Sequence, residues 1–335
     1  MSTSHLLDFP AKDARVLEQR TVCAEHHLAT LPLFDDENLI KLLDRHPAEV
    51  LHIHTMGTDK SRNQWREGRA SRLSGAQLLE ATRQGRLWLN VRELYKFQPE
   101  YRRLIDELYT EIESRCRGLK TFERTATLLI SSPSAQVYYH LDVPINILWH
   151  LRGKKRVWVY PLSDPRFVSP EHLEAIVSNE MGEELPFDEA FDQQAEVYDL
   201  KPGQMITWPQ NTPHRVENLE GLNVSLSTEY MTRAAASRLR VYRANRFLRQ
   251  HITPRNWSTK TSGPGYLLKM ATYAGVRACR KLRPQVDRGF TYPLSFNVDS
   301  PSGELIETAA ESELSAVGIP ASPDAAPVPD SPTSV

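Results

Sequence analysis

The chain runs to 335 residues, 40% of them hydrophobic and 25% charged, with 41 Lys and Arg against 42 Asp and Glu for a net charge of −1. That is the make-up of a soluble globular protein able to bury a large core, organised as about two domains or as one large β-barrel domain. It excludes a global electrostatic pull toward nucleic acid or an anionic membrane, and no apolar run reaches the ~18 residues of a membrane-spanning helix.

The three cysteines, Cys23, Cys116 and Cys279, are far apart and form no zinc pattern. This fits a reducing compartment, and with no signal-peptide core at the N-terminus the expected location is the cytoplasm. Residues 1–47 read as an N-terminal segment with one helix. Its first 35 or so residues are polar and weakly patterned, with His26-His27 in a solvated loop. Asp35-Asp36-Glu37 then leads into Asn38-Leu39-Ile40-Lys41-Leu42-Leu43, a helix whose acidic first turn complements its dipole, and Pro47 ends it. Val50 to His54 is a strand that alternates His52 and His54 onto one face. No carboxylate or third His follows at the expected spacing, so the pair is read as structural.

Ser74 caps a helix through Gln84 with Leu78 and Leu79 on its apolar face, and Leu87 to Val91 is a strand. Pro99 to Arg117 is a strongly amphipathic helix, with Leu104, Leu108 and Ile112 at i, i+4 and i+8 and Gly118 at its end. Strands follow at 125–131 and 136–140. The stretch QVYYHLDVPINILWHLRGKKRVWVYP, Gln136 to Pro161, is dominated by Val, Ile, Tyr and Trp, with Arg152-Gly153-Lys154 as its one turn signal. It predicts two antiparallel strands. Residues two apart on a strand share a face, so His140 and Asp142 look into one cavity. An imidazole beside a carboxylate is two-thirds of the 2-His-1-carboxylate triad that holds non-haem Fe(II) with open positions. Asn146 is read as lying further along the same strand, on the same side, where it could orient the metal or cosubstrate.

The segment 164–194 is acidic and reads as mostly helical, centred on Glu171 to Ile176. A second motif, LKPGQMITWPQNTPHRVENLEGLNVSLSTEY, spans Leu200 to Tyr230. Pro202-Gly203 is a turn, Met205 to Trp208 a short strand and Pro209 to Pro213 a tight loop. His214 opens the next strand and supplies the missing imidazole. The spacing of Gly203, Pro209, Asn211, His214 and Asn218 is close to the second cupin motif. Asn211 stands where Gly is usual, a mild change because Asn tolerates positive φ best among the other residues.

The two motifs together resemble the JmjC/cupin-like family of Fe(II)- and 2-oxoglutarate-dependent oxygenases, in particular the branch of the asparaginyl hydroxylase that inhibits hypoxia-inducible factor. His140, Asp142, Asn146, Gly153, Lys155 and His214 stand at the matching places, and the resemblance covers Leu128 to Tyr230 well. It implies a mainly β fold with flanking helices: a double-stranded β-helix (jelly-roll/cupin) barrel over 48–230, with an N-terminal α/β lead-in and C-terminal helices. It implies His140, Asp142 and His214 as ligands of Fe(II), with no catalytic side chain beyond the metal centre, and Lys155 as partner of the far carboxylate of 2-oxoglutarate. Asn146 and Ser227 complete the expected cosubstrate-binding set. Val137 departs from the pattern, standing where relatives often carry a Thr that hydrogen-bonds the cosubstrate. The expected activity is hydroxylation of a protein side chain or small molecule, with the acidic insert at the rim of the substrate opening.

Beyond Tyr230 no Asp or Glu occurs before Asp287, while Arg233, Arg238, Arg240, Arg243, Arg246 and Arg249 recur every few residues. Helices are predicted over 231–250 and 266–282. The whole basic region, 231–292, is expected to be a cap or a homodimer interface, with nucleic-acid binding the lesser reading. Residues 293–335, rich in Pro, Ala, Ser and acid, are expected to be a disordered tail. The alternative overall reading is a non-catalytic cupin-like scaffold whose basic helices bind a partner or nucleic acid. An intact H-x-D with a downstream His and Lys155 favours the oxygenase.

Overall fold

The computed structural model describes residues 5–70, 72–252, 257–282 and 292–308. In chain order it begins with β1 (Leu7–Asp8), the short α1 (Ala11–Ala14), β2 (Val22–His26), α2 (Asp36–Arg45), β3 (Leu51–Thr55) and β4 (Arg66–Arg69). Next come α3 (Gly75–Gln84), β5 (Leu87–Val91), α4 (Leu94–Phe97), α5 (Pro99–Arg115), β6 (Phe122–Ser131), β7 (Gln136–His140) and β8 (Ile145–Val159). The second half holds α6 (Pro170–Val177), β9 (Glu196–Leu200), β10 (Gln204–Thr207), β11 (His214–Met231), α7 (Arg233–His251), α8 (Pro264–Leu282), β12 (Leu294–Val298) and β13 (Leu305–Glu307).

The helix starts follow from their caps. Asp35 accepts from the Asn38 amide, and Ser74 and Gln77 form a reciprocal capping box. Each satisfies N–H groups that the first helical turn leaves without partners. The apolar face of α5 buries Leu104, Leu108 and Ile112 with Tyr101, Ile105 and Tyr109. Tyr109 reaches the barrel core, donating to Thr228 Oγ1 at 3.0 Å.

The strands form one mainly antiparallel sheet in the order β1-β2-β10-β8-β11-β6-β5-β3-β4-β12-β13, with β7 also on β11 and β9 also on β8. Two long strands carry the roll. The first half of β8 pairs with β10 and its second half with β9, while β11 pairs with β8 throughout and with β7 and then β6 in turn. A strand that changes partners along its length belongs to both layers of a jelly roll, which is the expected barrel. The two strands predicted around Gly153 are in fact the two halves of β8. Gly153 bends it at φ +80°, where a Cβ would meet the side chain of Asn223 at 2.7 Å. There β11 shifts register, from Lys154↔Glu220 to Arg152↔Val224. The bend stays within one strand because the partner strand bulges with it.

The N-terminal residues differ from expectation. They add two strands and a second helix, and they bury Leu7, Phe9, Leu17, Val22 and Leu28 in the core. Val22, Ala24 and His26 alternate inward on β2, a run too short and polar to read as a strand without its partner β10. His26 is buried, its Nδ1 accepting from the Leu28 amide at 3.1 Å, while His27 is exposed and sits 3.2 Å from Asp8. The acidic insert is helical only in α6 and in the six-residue 3-10 helix Glu189–Gln194, so less than half of it is helical.

The basic helix α7 spends part of its charge on that insert. Arg249 makes a two-pronged contact with the buried Glu174 at 2.8 and 3.0 Å, Arg246 pairs with Glu180 at 2.5 Å, and Arg243 donates to the Val177 carbonyl. These arginines hold the insert to α7. Positions 253–256 and 283–291 of the basic region lie outside the described residues.

The expected tail also begins differently. Residues 294–298 form β12, parallel to β4 with Phe296 across from Gly68, and β13 pairs with β12. Phe296 is fully buried, and its ring fills the space a Gly68 side chain would take, 2.3 Å from an ideal Cβ. Composition hid this strand, because one buried aromatic against one glycine is enough to anchor it. The rest of the expected tail, from 309, lies outside the described residues. Phe296→Ala should cost about 3–5 kcal/mol and lower Tm by the order of 10 °C in a thermal melt. An unchanged Tm would show that this return strand is dispensable to the fold.

Candidate metal centre

His140 ends β7, Asp142 sits in the connection after it, and His214 opens β11 directly across from His140. Strand alternation therefore does not place Asp142, since it lies beyond the strand; the turn into β8 does. Nε2 of His140 is 3.8 Å from Asp142 Oδ1, Nε2 of His214 is 3.6 Å from Oδ2, and the imidazole centroids are 4.1 Å apart. One ligand atom from each of the three lies within 4.8 Å of the others, a grouping that could hold a metal ion.

The backbone sets the tautomers. Nδ1 of His140 lies 2.7 Å from the Tyr138 carbonyl, and Nδ1 of His214 lies 3.0 Å from the Thr212 carbonyl. A carbonyl only accepts, so both Nδ1 atoms carry a proton and both Nε2 atoms are left facing Asp142. Burial holds His214 well below the usual histidine range, keeping it neutral. Asp142 is pushed up by burial and eased by His140 and Asn146. Among the described residues no Lys or Arg pairs with its carboxylate. Two imidazole nitrogens and one carboxylate without a Lys or Arg partner are the donor set that suits Fe(II), so the chemistry of the site fits that ion.

A polar chain holds the carboxylate. Asn146, at the start of β8 rather than on the strand of His140, donates to Asp142 Oδ2 at 3.0 Å, and Ser227 donates to Asn146 Oδ1 at 3.1 Å. The loop before His214 is tied to the same place. Asn211, at φ 66°, donates to the carbonyls of Asp142 and Val143 at 2.9 and 3.1 Å. The left-handed turn was legible from the residue type. That its side chain would join the two motifs was not. The Trp208 ring lies against His214 with centroids 4.1 Å apart.

His140, Asp142, Asn146, Trp208 and His214 line a cavity of about 730 Å³, together with Val137, Lys155 and Ser227. Lys154 and Lys155 point to opposite faces, as alternation on a strand requires. Lys154 pairs at the surface with Glu220. Lys155 is buried, has no hydrogen bond or ion pair among the described residues, and is pushed down to about 7 by burial. A buried ammonium without a counter-ion is costly, and an anion entering the cavity would relieve it.

The other histidine pair has a partner that spacing along the chain did not show. His52 and His54 lie beside Glu67, which faces His54 from the neighbouring strand β4. A sequence signal existed in principle, a lone carboxylate on the next strand, but it depends on knowing that β3 and β4 pair in that register.

No helix among the described residues is long and apolar enough to cross a membrane. Comparison with curated proteins finds no match. Among solved structures, Escherichia coli YcfD aligns over 83% of this chain and 69% of that one at 14% identity and a TM-score of 0.49. A structure of the E. coli ribosomal oxygenase YcfD in complex with cobalt and 2-oxoglutarate aligns over 88% and 74% at 15% identity and a TM-score of 0.45. A family model described as the cupin-like domain matches residues 58–234, more than half of the chain and both motifs, so the protein belongs to the cupin-like domain family.

Proposed function

We propose that the protein is an Fe(II)- and 2-oxoglutarate-dependent oxygenase that hydroxylates a protein side chain or a small molecule. The observation that carries this reading is one cavity holding both a convergent His140–Asp142–His214 trio and the buried, unpaired Lys155. His140, Asp142 and His214 would hold the iron. With 2-oxoglutarate and dioxygen, that ion supplies an oxidant able to insert oxygen into a C–H bond. The chain supplies position. The Tyr138 and Thr212 carbonyls keep both Nε2 atoms inward, and Asn146 with Ser227 fixes the rotation of Asp142. Lys155 would pair the distal carboxylate of the cosubstrate, and Val137 leaves that pocket one hydroxyl poorer than the family pattern.

Succinate release by the iron-loaded chain, measured across peptides, nucleic acids and metabolites, tests the reading. Release that needs both iron and 2-oxoglutarate supports it. Absence of any 2-oxoglutarate consumption, coupled or uncoupled, would leave the cupin-like scaffold as the better account. A finer expectation concerns Asn146. It touches Asp142 and is placed as a positioning residue, so Asn146→Ala should weaken iron binding by about 10–100-fold in a chelator competition, with the melting temperature little changed. Unaltered iron affinity would remove Asn146 from that role.

A further inference from the structure

The cavity holds a second set of metal-ligating side chains. His52 and His54 stand two apart on β3, and Glu67 lies directly across from His54 in the antiparallel ladder with β4. Residues opposite each other on paired strands share a face, so all three converge. One ligand atom of each lies within 4.8 Å of the others. The imidazoles stack with centroids 6.2 Å apart and planes 6° from parallel, and Nδ1 of His52 sits 2.7 Å from Glu67 Oε1.

His54 is the informative member. It is only 9% exposed, packed among the rings of Trp65, Trp88 and Tyr292, and its buried Nδ1 has no hydrogen-bond partner. A buried ring nitrogen left without a partner costs stability, and structures retain such atoms where something else completes them. The trio lines the same cavity as His140, Asp142 and His214.

We propose that His52, His54 and Glu67 form a second metal site that takes a divalent transition-metal ion of the zinc class, with its open positions turned to the shared cavity. Two imidazoles and one glutamate, with room for a further ligand, are a donor set of catalytic rather than structural zinc sites. Donors about 2.0–2.2 Å from one ion lie roughly 3.4 Å apart in a tetrahedron, so the trio closes on it by small side-chain rotations. The His52–Glu67 contact then either opens to admit the ion or persists through the second carboxylate oxygen. An ion held there would act as a Lewis acid on an oxygen or nitrogen of a molecule occupying the cavity. None of this depends on which metal the first trio binds.

The test uses the full chain, stripped of metal and titrated with zinc chloride against a chromophoric chelator. With His140→Ala and His214→Ala removing the first trio, the chain should still bind one zinc ion. Adding Glu67→Gln or His54→Ala should weaken that binding at least a hundredfold, since loss of an outer partner alone costs about 10–100-fold. Adding His54→Cys instead should keep it, because a thiolate also ligates zinc. Should the doubly substituted chain fail to fold, the count is read in the otherwise unaltered chain, where Glu67→Gln should lower bound zinc by one ion. The proposal is overturned if zinc affinity is the same with and without Glu67 and His54, or if the count does not fall.

Discussion

Replacing His214 with Ala should release the iron and bring succinate formation down to background. His214 is almost fully buried, its Nδ1 is held by the Thr212 carbonyl, and its Nε2 faces Asp142. The substitution therefore removes one of three donors and leaves a carboxylate and a single imidazole. Loss of an outer-shell partner costs about 10–100-fold in metal affinity, so loss of a ligand should exceed that range. Iron content after gel filtration and chelator competition read the affinity, and circular dichroism checks that β11 still forms. The cavity left against Trp208 should cost some stability, so a variant that keeps its secondary structure is the decisive one. A folded His214→Ala protein that still holds iron as tightly as before would move the iron away from this trio.

The second large effect belongs to Lys155. Lys155→Met keeps the apolar stem and removes the charge, and it should raise the 2-oxoglutarate concentration needed for half-maximal turnover by more than tenfold. Truncating one member of a buried, hydrogen-bonded charge pair costs about 2–5 kcal/mol, and 1.4 kcal/mol is already tenfold. Lys154→Met should change it little, because Lys154 faces solvent and pairs with Glu220. The pH dependence carries a sign of its own. Burial pushes free Lys155 down to about 7, whereas an adjacent carboxylate would push it back up. Binding above pH 7 must therefore take up a proton, and affinity for 2-oxoglutarate should weaken as pH rises beyond 7. Calorimetry in buffers of different ionisation enthalpy reads that uptake directly. Lys155→Met should abolish it, and uptake that persists in this variant would assign the proton to another group.

The parts of the site that could be read from sequence are local. His140 and Asp142 stand two apart, Asn211 occupies a position suited to positive φ, and the Lys154–Lys155 pair must split between two faces because a strand has a period of two. The barrel class was legible only through the resemblance of the two motifs to the JmjC/cupin-like family. Other features were hidden because pairing between strands is a long-range choice. Nothing near Glu67 marks it as the neighbour of His54; that follows from the register of β3 with β4. Nor does composition mark 294–298 as a strand, because its place beside β4 is set by Phe296 filling the space above Gly68.

Through the resemblance its two motifs carry, the amino-acid sequence by itself pointed to the cupin-like class and to His140, Asp142, His214 and Lys155, while strand periodicity required only that Lys154 and Lys155 face opposite ways. The tertiary structure decided that β8 is one bent strand, that Asn211 ties the two motifs together, and that the N-terminal residues and 294–298 join the sheet. It also decided that α7 spends its arginines on the acidic insert and that a second histidine pair meets a carboxylate in the same cavity. Each of these depends on which distant segments share a hydrogen-bond ladder or a packed face, and burial of the whole core selects that pairing.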